Sequence, residues 1–319
     1  MSGEATAYHR SLPGYEPTPV HSLDATAAEL GLGAVLVKDE SNRLGLPAFK
    51  ILGASWAVER ALREHPETHT LVAASAGNHG RAVARAAKWR GLHARVYLPA
   101  RAVPARRDAI ASEGAEVVVI DGDYEEAVAL AGADGARDGT LEIADVGDSG
   151  PARWVIDGYA TLFEELAEQA PELDLLIVPV GVGSLAAAAV RFGSGQGVTV
   201  IGAEPATAAC LTASLEAGAP TTVPTPGTTM AGLDCAEVSI SAWPILRDGI
   251  HSTVTVTDAE THAAMRELAT AGLRIGDSGA APLAALRKLA PEPGTRVALV
   301  ATEGATDPEG YRRVTSSAG

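Results

Sequence analysis

Residues 38–54 read Lys38-Asp39-Glu40-Ser41-Asn42-Arg43-Leu44-Gly45-Leu46-Pro47-Ala48-Phe49-Lys50-Ile51-Leu52-Gly53-Ala54, a charged run that passes through a turn into an apolar stretch with one lysine inside it. The chain has four lysines, Lys38, Lys50, Lys88 and Lys288. Lysine is the side chain that forms an imine with a carbonyl compound, so the search for such chemistry is short. Lys88 shares the polar side of a helical pattern with Arg85 and Arg90, and Lys288 follows Arg287 near a helix end; both read as solvated. Lys50 has apolar neighbours on both sides and a glycine shortly after it. Desolvation there favours the neutral, nucleophilic amine. Position alone would make it a snorkelling lysine at a helix start, and the residues around it must decide.

Outward from this stretch, short apolar runs alternate with Ala-rich stretches of helical spacing. Val35–Val37, Leu71–Ala74, Ala94–Leu98, Val117–Ile120, Leu175–Val178, Val198–Ile201 and Val297–Val300 read as strands. Helical patterns lie at Arg81–Arg90, Arg106–Glu113, Tyr124–Ala131, Gly158–Gln169, Thr207–Ala217, Asp258–Leu273 and Ala281–Ala290, with Asp258 expected as an N-cap. This alternation predicts an α/β protein whose parallel sheets are covered by helices, with ligands at the carboxyl ends of the strands.

Three loops fall at such ends. Ser75-Ala76-Gly77-Asn78-His79-Gly80 follows a strand and opens a helix, so its backbone N–H groups and the Ser75 hydroxyl suit a carboxylate. Pro179-Val180-Gly181-Val182-Gly183-Ser184-Leu185 sits in the same context, and its glycines let N–H groups turn towards a phosphate. A nucleotide-binding turn competes for this second loop, but the third glycine of the dinucleotide spacing and the lysine of a P-loop are missing. Ala301-Thr302-Glu303-Gly304-Ala305-Thr306-Asp307 follows the last strand, where Thr302 is either a ligand-facing hydroxyl or a helix cap.

Together these segments resemble the pyridoxal-phosphate enzymes of fold type II, the tryptophan-synthase-β-like group, and within it the diaminopropionate ammonia-lyases. Those share K-D-E-S, then R-x-G-L, then A-F-K, and also T-E-G-x-T-D at residues 302–307. Thr228-Thr229-Met230-Ala231-Gly232-Leu233 with Trp243 beyond it, and Gly276-Asp277-Ser278-Gly279-Ala280, extend the similarity, which runs from about Tyr15 to Asp307. The resemblance implies that Lys50 carries the cofactor as an imine and that Asn78 bonds the pyridoxal ring hydroxyl. It further implies that Ser75, Ala76, Gly77, Asn78 and His79 form the substrate-carboxylate loop. The phosphate would rest on Gly181, Val182, Gly183, Ser184 and Leu185, and Thr302 would face the pyridine nitrogen. A neutral hydroxyl there makes the ring a milder electron sink, which elimination with a prompt leaving group tolerates.

The chain departs from the pattern at two places. Ala76 stands where the ammonia-lyases often carry an aspartate proposed to act on one substrate enantiomer. A second family aspartate, the proposed base for the L-enantiomer, precedes a tryptophan and a glycine-tyrosine pair; Trp154, Gly158 and Tyr159 match, and Asp145 or Asp148 is the aspartate. The expected reaction is α,β-elimination on a small amino acid such as 2,3-diaminopropionate, giving a 2-oxo acid and ammonia, with Lys50 or Asp145 taking the Cα proton. Serine or threonine dehydration and β-replacement use the same motifs, and a non-catalytic protein holding a nucleotide or small anion is the alternative outside enzymes.

Length and charge fit this reading. At 319 residues two domains are expected: the larger from residues 1–53 and 148–319, the smaller from 54–147, with the cofactor in the cleft between them. With 25 Lys+Arg against 40 Asp+Glu the net charge is −15, which disfavours nucleic acid and anionic membrane surfaces as partners. One phosphate held by backbone dipoles is a different matter. The first ten residues lack the basic start and apolar core of an export signal, and Leu175–Val190 is broken by Pro179, Gly181, Gly183 and Ser184. Cys210 and Cys235 lie in no redox or metal spacing. A cytoplasmic homodimer follows, the dimer from the resemblance alone.

Overall fold

The computed structural model describes residues 2–100, 102–148 and 150–316; Ser149, within the segment that separates Asp145 from Trp154, lies outside them. In chain order the strands are β1 (Val20–Ser22), β2 (Ala34–Asp39), β3 (Thr70–Ala74), β4 (His93–Pro99), β5 (Glu116–Ile120), β6 (Thr140–Glu142), β7 (Leu175–Pro179), β8 (Thr199–Pro205), β9 (Ser252–Val256) and β10 (Arg296–Ala301). They form two sheets in two compact units. One unit comprises Met1–Ser11 and Lys50–Gly158, the other Leu12–Phe49 and Tyr159–Gly319.

The first unit holds a four-stranded sheet in the order β5-β4-β3-β6, with every pairing parallel. The helix Lys50–Glu64 packs on the helices Asn78–Trp89 and Gly150–Gly158. It buries Ile51, Leu52, Ala54, Trp56, Ala57, Val58 and Ala61, a stripe wide enough for a helix enclosed by two others. Because β3 and β6 are parallel neighbours, the loops that leave their carboxyl ends emerge side by side. That places the segment after Ala74 next to the segment after Glu142.

The second unit holds a six-stranded sheet in the order β1-β2-β10-β7-β8-β9, where only β1 is antiparallel. All five residues of β7 are buried, as expected for a strand covered on both faces. Val35, Val37, Ile177, Val297 and Leu299 share a core with residues of the helices Asp258–Thr270 and Asp277–Lys288. The neighbours β2, β10 and β7 again bring the three loops at their carboxyl ends to one edge. The segment after β2 is laced to the end of β10: Glu40 N donates to Ala301 O (2.9 Å), Phe49 N to Thr302 O (3.2 Å) and Gly304 N to Pro47 O (3.0 Å).

Three local expectations change. The N-cap of the helix Asp258–Thr270 is Thr257, which forms a capping box with Glu260, while the Asp258 carboxylate turns away to Thr228 and Thr229. The helix expected from Gly158 starts at Ala160 and runs to Gln169, and a separate helix, Gly150–Gly158, ends just before it, with Tyr159 between them. The last Ala-rich helix starts at Asp277 and not at Ala281, with Pro282 inside it. Among the described residues no helix is long and apolar enough to cross a membrane.

Candidate active site

In the first unit Lys50 is the opening residue of its helix, and its Nζ donates to Asp145 Oδ2 at 2.8 Å. The two side chains are 20% and 15% exposed, so the pair is largely shielded from water. The amine therefore has a carboxylate against it where the sequence suggested apolar surroundings alone, because the loop after β6 returns Asp145 to the start of the helix. Asp148 does not take part: it pairs at the surface with Arg153 at 3.0 Å. The structure thus separates two aspartates that the sequence left as alternatives.

His79 lies on the helix Asn78–Trp89 and is 4% exposed. Its Nε2 is 2.8 Å from the carbonyl of Ile143, and its Nδ1 is 3.7 Å from Asp145 Oδ2. Burial would raise the Asp145 carboxyl, but the neighbouring His79 ring and the hydrogen-bonded Lys50 ammonium outweigh it and hold the group well below the usual carboxylate range. Burial depresses His79; Lys50 works the same way and Asp145 opposes both, leaving the ring below its ordinary value. Ser75, Ala76 and Gly77 connect β3 to this helix, with Gly77 as its N-cap and Gly77 N donating to Ser75 Oγ at 3.2 Å. Asn78 is the first helical residue and is half-buried. The unit thus joins an amine, a carboxylate, an imidazole and a helix N-terminus.

In the second unit Gly181–Leu185 links β7 to the helix Ser184–Gln196. Gly183 is the N-cap at φ 93°, a conformation side chains rarely adopt, and a Cβ on Gly181 would lie 2.9 Å from Gly232 O and 3.1 Å from Cys235 Sγ. Val182 O accepts from Ser239 N at 2.8 Å, which fixes the turn. Ser184 and Leu185 are 3% and 6% exposed. Gly232 N in turn donates to Ser278 Oγ at 3.2 Å. Three segments singled out separately in the sequence therefore meet around Gly181. Thr302, 4% exposed, follows β10 and accepts from Phe49 N, the residue bonded to Lys50; it caps no helix, since the next one begins at Pro308.

One group of residues escaped the sequence reading. Lys38, Glu40, Arg43 and Glu165 have side chains with no exposure and form a closed ionic cluster in the second unit. Arg43 bonds Glu40 through Nε (2.8 Å) and Glu165 through Nη1 (2.7 Å), and Thr18 Oγ1 donates to Glu40 (2.6 Å). A lysine closing the apolar run Val35-Leu36-Val37 was the available signal, because a charge buried at the end of such a strand needs a partner.

A family model described as pyridoxal-phosphate dependent enzyme matches residues 12–303. The chain is 33% identical to the diaminopropionate ammonia-lyase of Salmonella typhimurium, over 98% of this chain and 91% of that protein. It is 30% identical to the biosynthetic L-threonine dehydratase of Escherichia coli, over 89% of this chain and 56% of that one. Among solved structures, the Escherichia coli diaminopropionate ammonia lyase in complex with D-serine superposes with a TM-score of 0.91 at 31% identity, covering 98% of this chain and 91% of that one. The chain belongs to the family of pyridoxal-phosphate dependent enzymes, and its parallel sheets covered by helices are those of fold type II.

Proposed function

We propose that the protein catalyses α,β-elimination on a small amino acid of the 2,3-diaminopropionate kind, releasing a 2-oxo acid and ammonia. The observation that carries this reading is the 2.8 Å contact between Lys50 Nζ and Asp145 Oδ2 beside the helix N-terminus at Gly77. An amine and a carboxylate in hydrogen-bond contact can exchange a proton at the carbon next to a carboxylate that the helix end would hold.

The residues fit pyridoxal phosphate. Gly181, packed too closely against Gly232 for a side chain, the left-handed Gly183 and the N-terminus of the helix Ser184–Gln196 make a backbone cradle suited to a phosphate dianion. Thr302, a buried neutral residue just after β10, would face the pyridine nitrogen, and Asn78, at the start of its helix, would bond the ring hydroxyl. When bound, the cofactor supplies a carbonyl for the lysine amine and a ring that accepts the electrons of the Cα–H bond. The protein's own part is to present the Lys50 amine and to hold the substrate carboxylate at Ser75–Asn78. Asp145 is kept ionised next to Lys50, so a proton taken by either group passes along a preformed hydrogen bond. Two cysteines, Cys210 and Cys235, in no redox or metal spacing support a reducing, cytoplasmic setting, and the resemblance supports a homodimer.

Purified protein supplied with pyridoxal phosphate is offered diaminopropionate, serine and threonine as both enantiomers, and 2-oxo acid and ammonia are measured. Elimination predicts one 2-oxo acid with two ammonia from diaminopropionate, and one with one ammonia from serine or threonine, fastest with diaminopropionate. A product appearing only when an amine or thiol nucleophile is added would replace it with β-replacement. Lys50→Ala removes the visible absorbance of the bound cofactor and its fixation by borohydride; full retention of both would reject the assignment of Lys50.

A further inference from the structure

Asp145 Oδ2 faces two nitrogens, Lys50 Nζ at 2.8 Å and His79 Nδ1 at 3.7 Å. The other ring nitrogen, Nε2, is 2.8 Å from the Ile143 carbonyl. A carbonyl only accepts, so Nε2 carries the hydrogen and Nδ1 of the neutral ring is a bare lone pair. That nitrogen is buried and has no hydrogen-bond partner among the described residues. An orphaned acceptor in the interior is costly, and this one points at a carboxylate oxygen that is also an acceptor. Two lone pairs keep apart at 3.7 Å; a proton between them would draw the atoms into a charge-assisted hydrogen bond.

Among the described residues the charged groups that act on the ring are Asp145, from the loop after β6, and Lys50, from the start of its helix. The arginines on the ring's own helix are engaged elsewhere, Arg81 and Arg85 both with Glu113. Asp145 favours the imidazolium, whereas burial and the Lys50 ammonium favour the neutral ring. The ring's state is therefore tied to whether the Lys50 charge is present.

We propose that His79 is a positioning residue whose Nδ1 is a reserve proton site for Asp145: empty while the Lys50 ammonium lies against Oδ2, and filled when that charge is withdrawn. In the reaction inferred above, on which this role rests, a substrate C–H bond breaks and leaves its electron pair with the substrate. The proton forms an O–H bond at Asp145, and that bond breaks as Nδ1–H forms. Asp145 is ionised again, and the positive charge lies on the ring.

The exchange can be read without turnover. In full-length protein freed of cofactor and labelled with nitrogen-15 in its histidines, two-bond proton–nitrogen spectra report the state of each ring, and His79→Gln assigns the His79 signals. The wild-type ring is expected as the neutral Nε2–H form at neutral pH. In Lys50→Ala, and in Lys50→Gln should the smaller residue perturb folding, the titration midpoint of His79 moves to higher pH. Adding Asp145→Asn to either variant moves it back down. An Nδ1–H form in the wild type, or a midpoint unmoved in both Lys50 variants, would overturn the proposal. A moved midpoint in a protein that shows no elimination supports the charge exchange and rejects the proposed reaction alone.

Discussion

Lys38 Nζ lies 2.7 Å from Glu165 Oε2, and neither side chain has any exposure. Glu165 also accepts from Arg43, which leads into the segment ending at Lys50, so one carboxylate bridges two buried cations on the same stretch of chain, and Glu40 supplies the second negative charge. Burial would raise the Glu165 carboxyl, but the hydrogen bonds and charges of Arg43 and Lys38 outweigh it and hold it at about 2. Removing one partner of such a cluster leaves the others charged and unpaired, at about 3–5 kcal/mol.

Glu165→Gln is therefore expected to lower the unfolding free energy by about that amount in urea titrations at neutral pH. The pH dependence has a definite sign. A carboxyl depressed in the folded state stabilises above its unfolded value, near 4.5, and the contribution fades as pH falls towards about 2. The wild type should lose more stability across that window than Glu165→Gln does. Equal losses in both proteins would show that Glu165 is not the group being titrated.

Much of the architecture was legible because parallel strands buried on both faces announce themselves as unbroken apolar runs, as β7 does. Helix existence was legible for the same reason of periodicity, whereas helix ends were not. Asp258 and Thr257 are both good cap residues, and what decides between them is the distant Thr228, which recruits the Asp258 carboxylate. Gly181 and Gly183 could be picked out by their place between a strand and a helix. The Lys38–Glu165 and His79–Asp145 pairs could not be seen as pairs, since each joins residues brought together by sheet order and not by spacing along the chain. The apolar residues flanking Lys50 hid its carboxylate partner for the same reason.

Gly183 offers a test of the backbone cradle. Its φ of 93° and the 2.6 Å between an added Cβ and Leu246 Cδ1 both oppose a side chain. The left-handed conformation alone costs about 1–2 kcal/mol in a residue other than glycine, and the contact adds to it unless Leu246 moves. Gly183→Ala is expected to lower the midpoint of thermal unfolding without cofactor and to weaken pyridoxal phosphate affinity measured by absorbance titration. Unchanged affinity in a destabilised variant would mean that the turn serves the fold alone.

Ala76 bears on which enantiomer reacts. The two enantiomers of an amino acid held by the same carboxylate and amine contacts present their Cα–H bonds to opposite sides. Lys50 and Asp145 are in contact with each other and so serve one side. A base for the other side must come from elsewhere, and the loop Ser75–Gly77 holds no carboxylate, with the methyl group of Ala76 where related ammonia-lyases often carry one. The protein is expected to form 2-oxo acid from L-diaminopropionate and to leave the D-enantiomer essentially untouched, since a missing general base is worth about 10²–10⁴-fold in rate. Ala76→Asp should add turnover of the D-enantiomer while the L-enantiomer remains a substrate, as read by product formation with each enantiomer supplied separately. Equal rates on both enantiomers in the wild type would show that the pair at Lys50 reaches both sides, and position 76 would then have no bearing on stereochemistry.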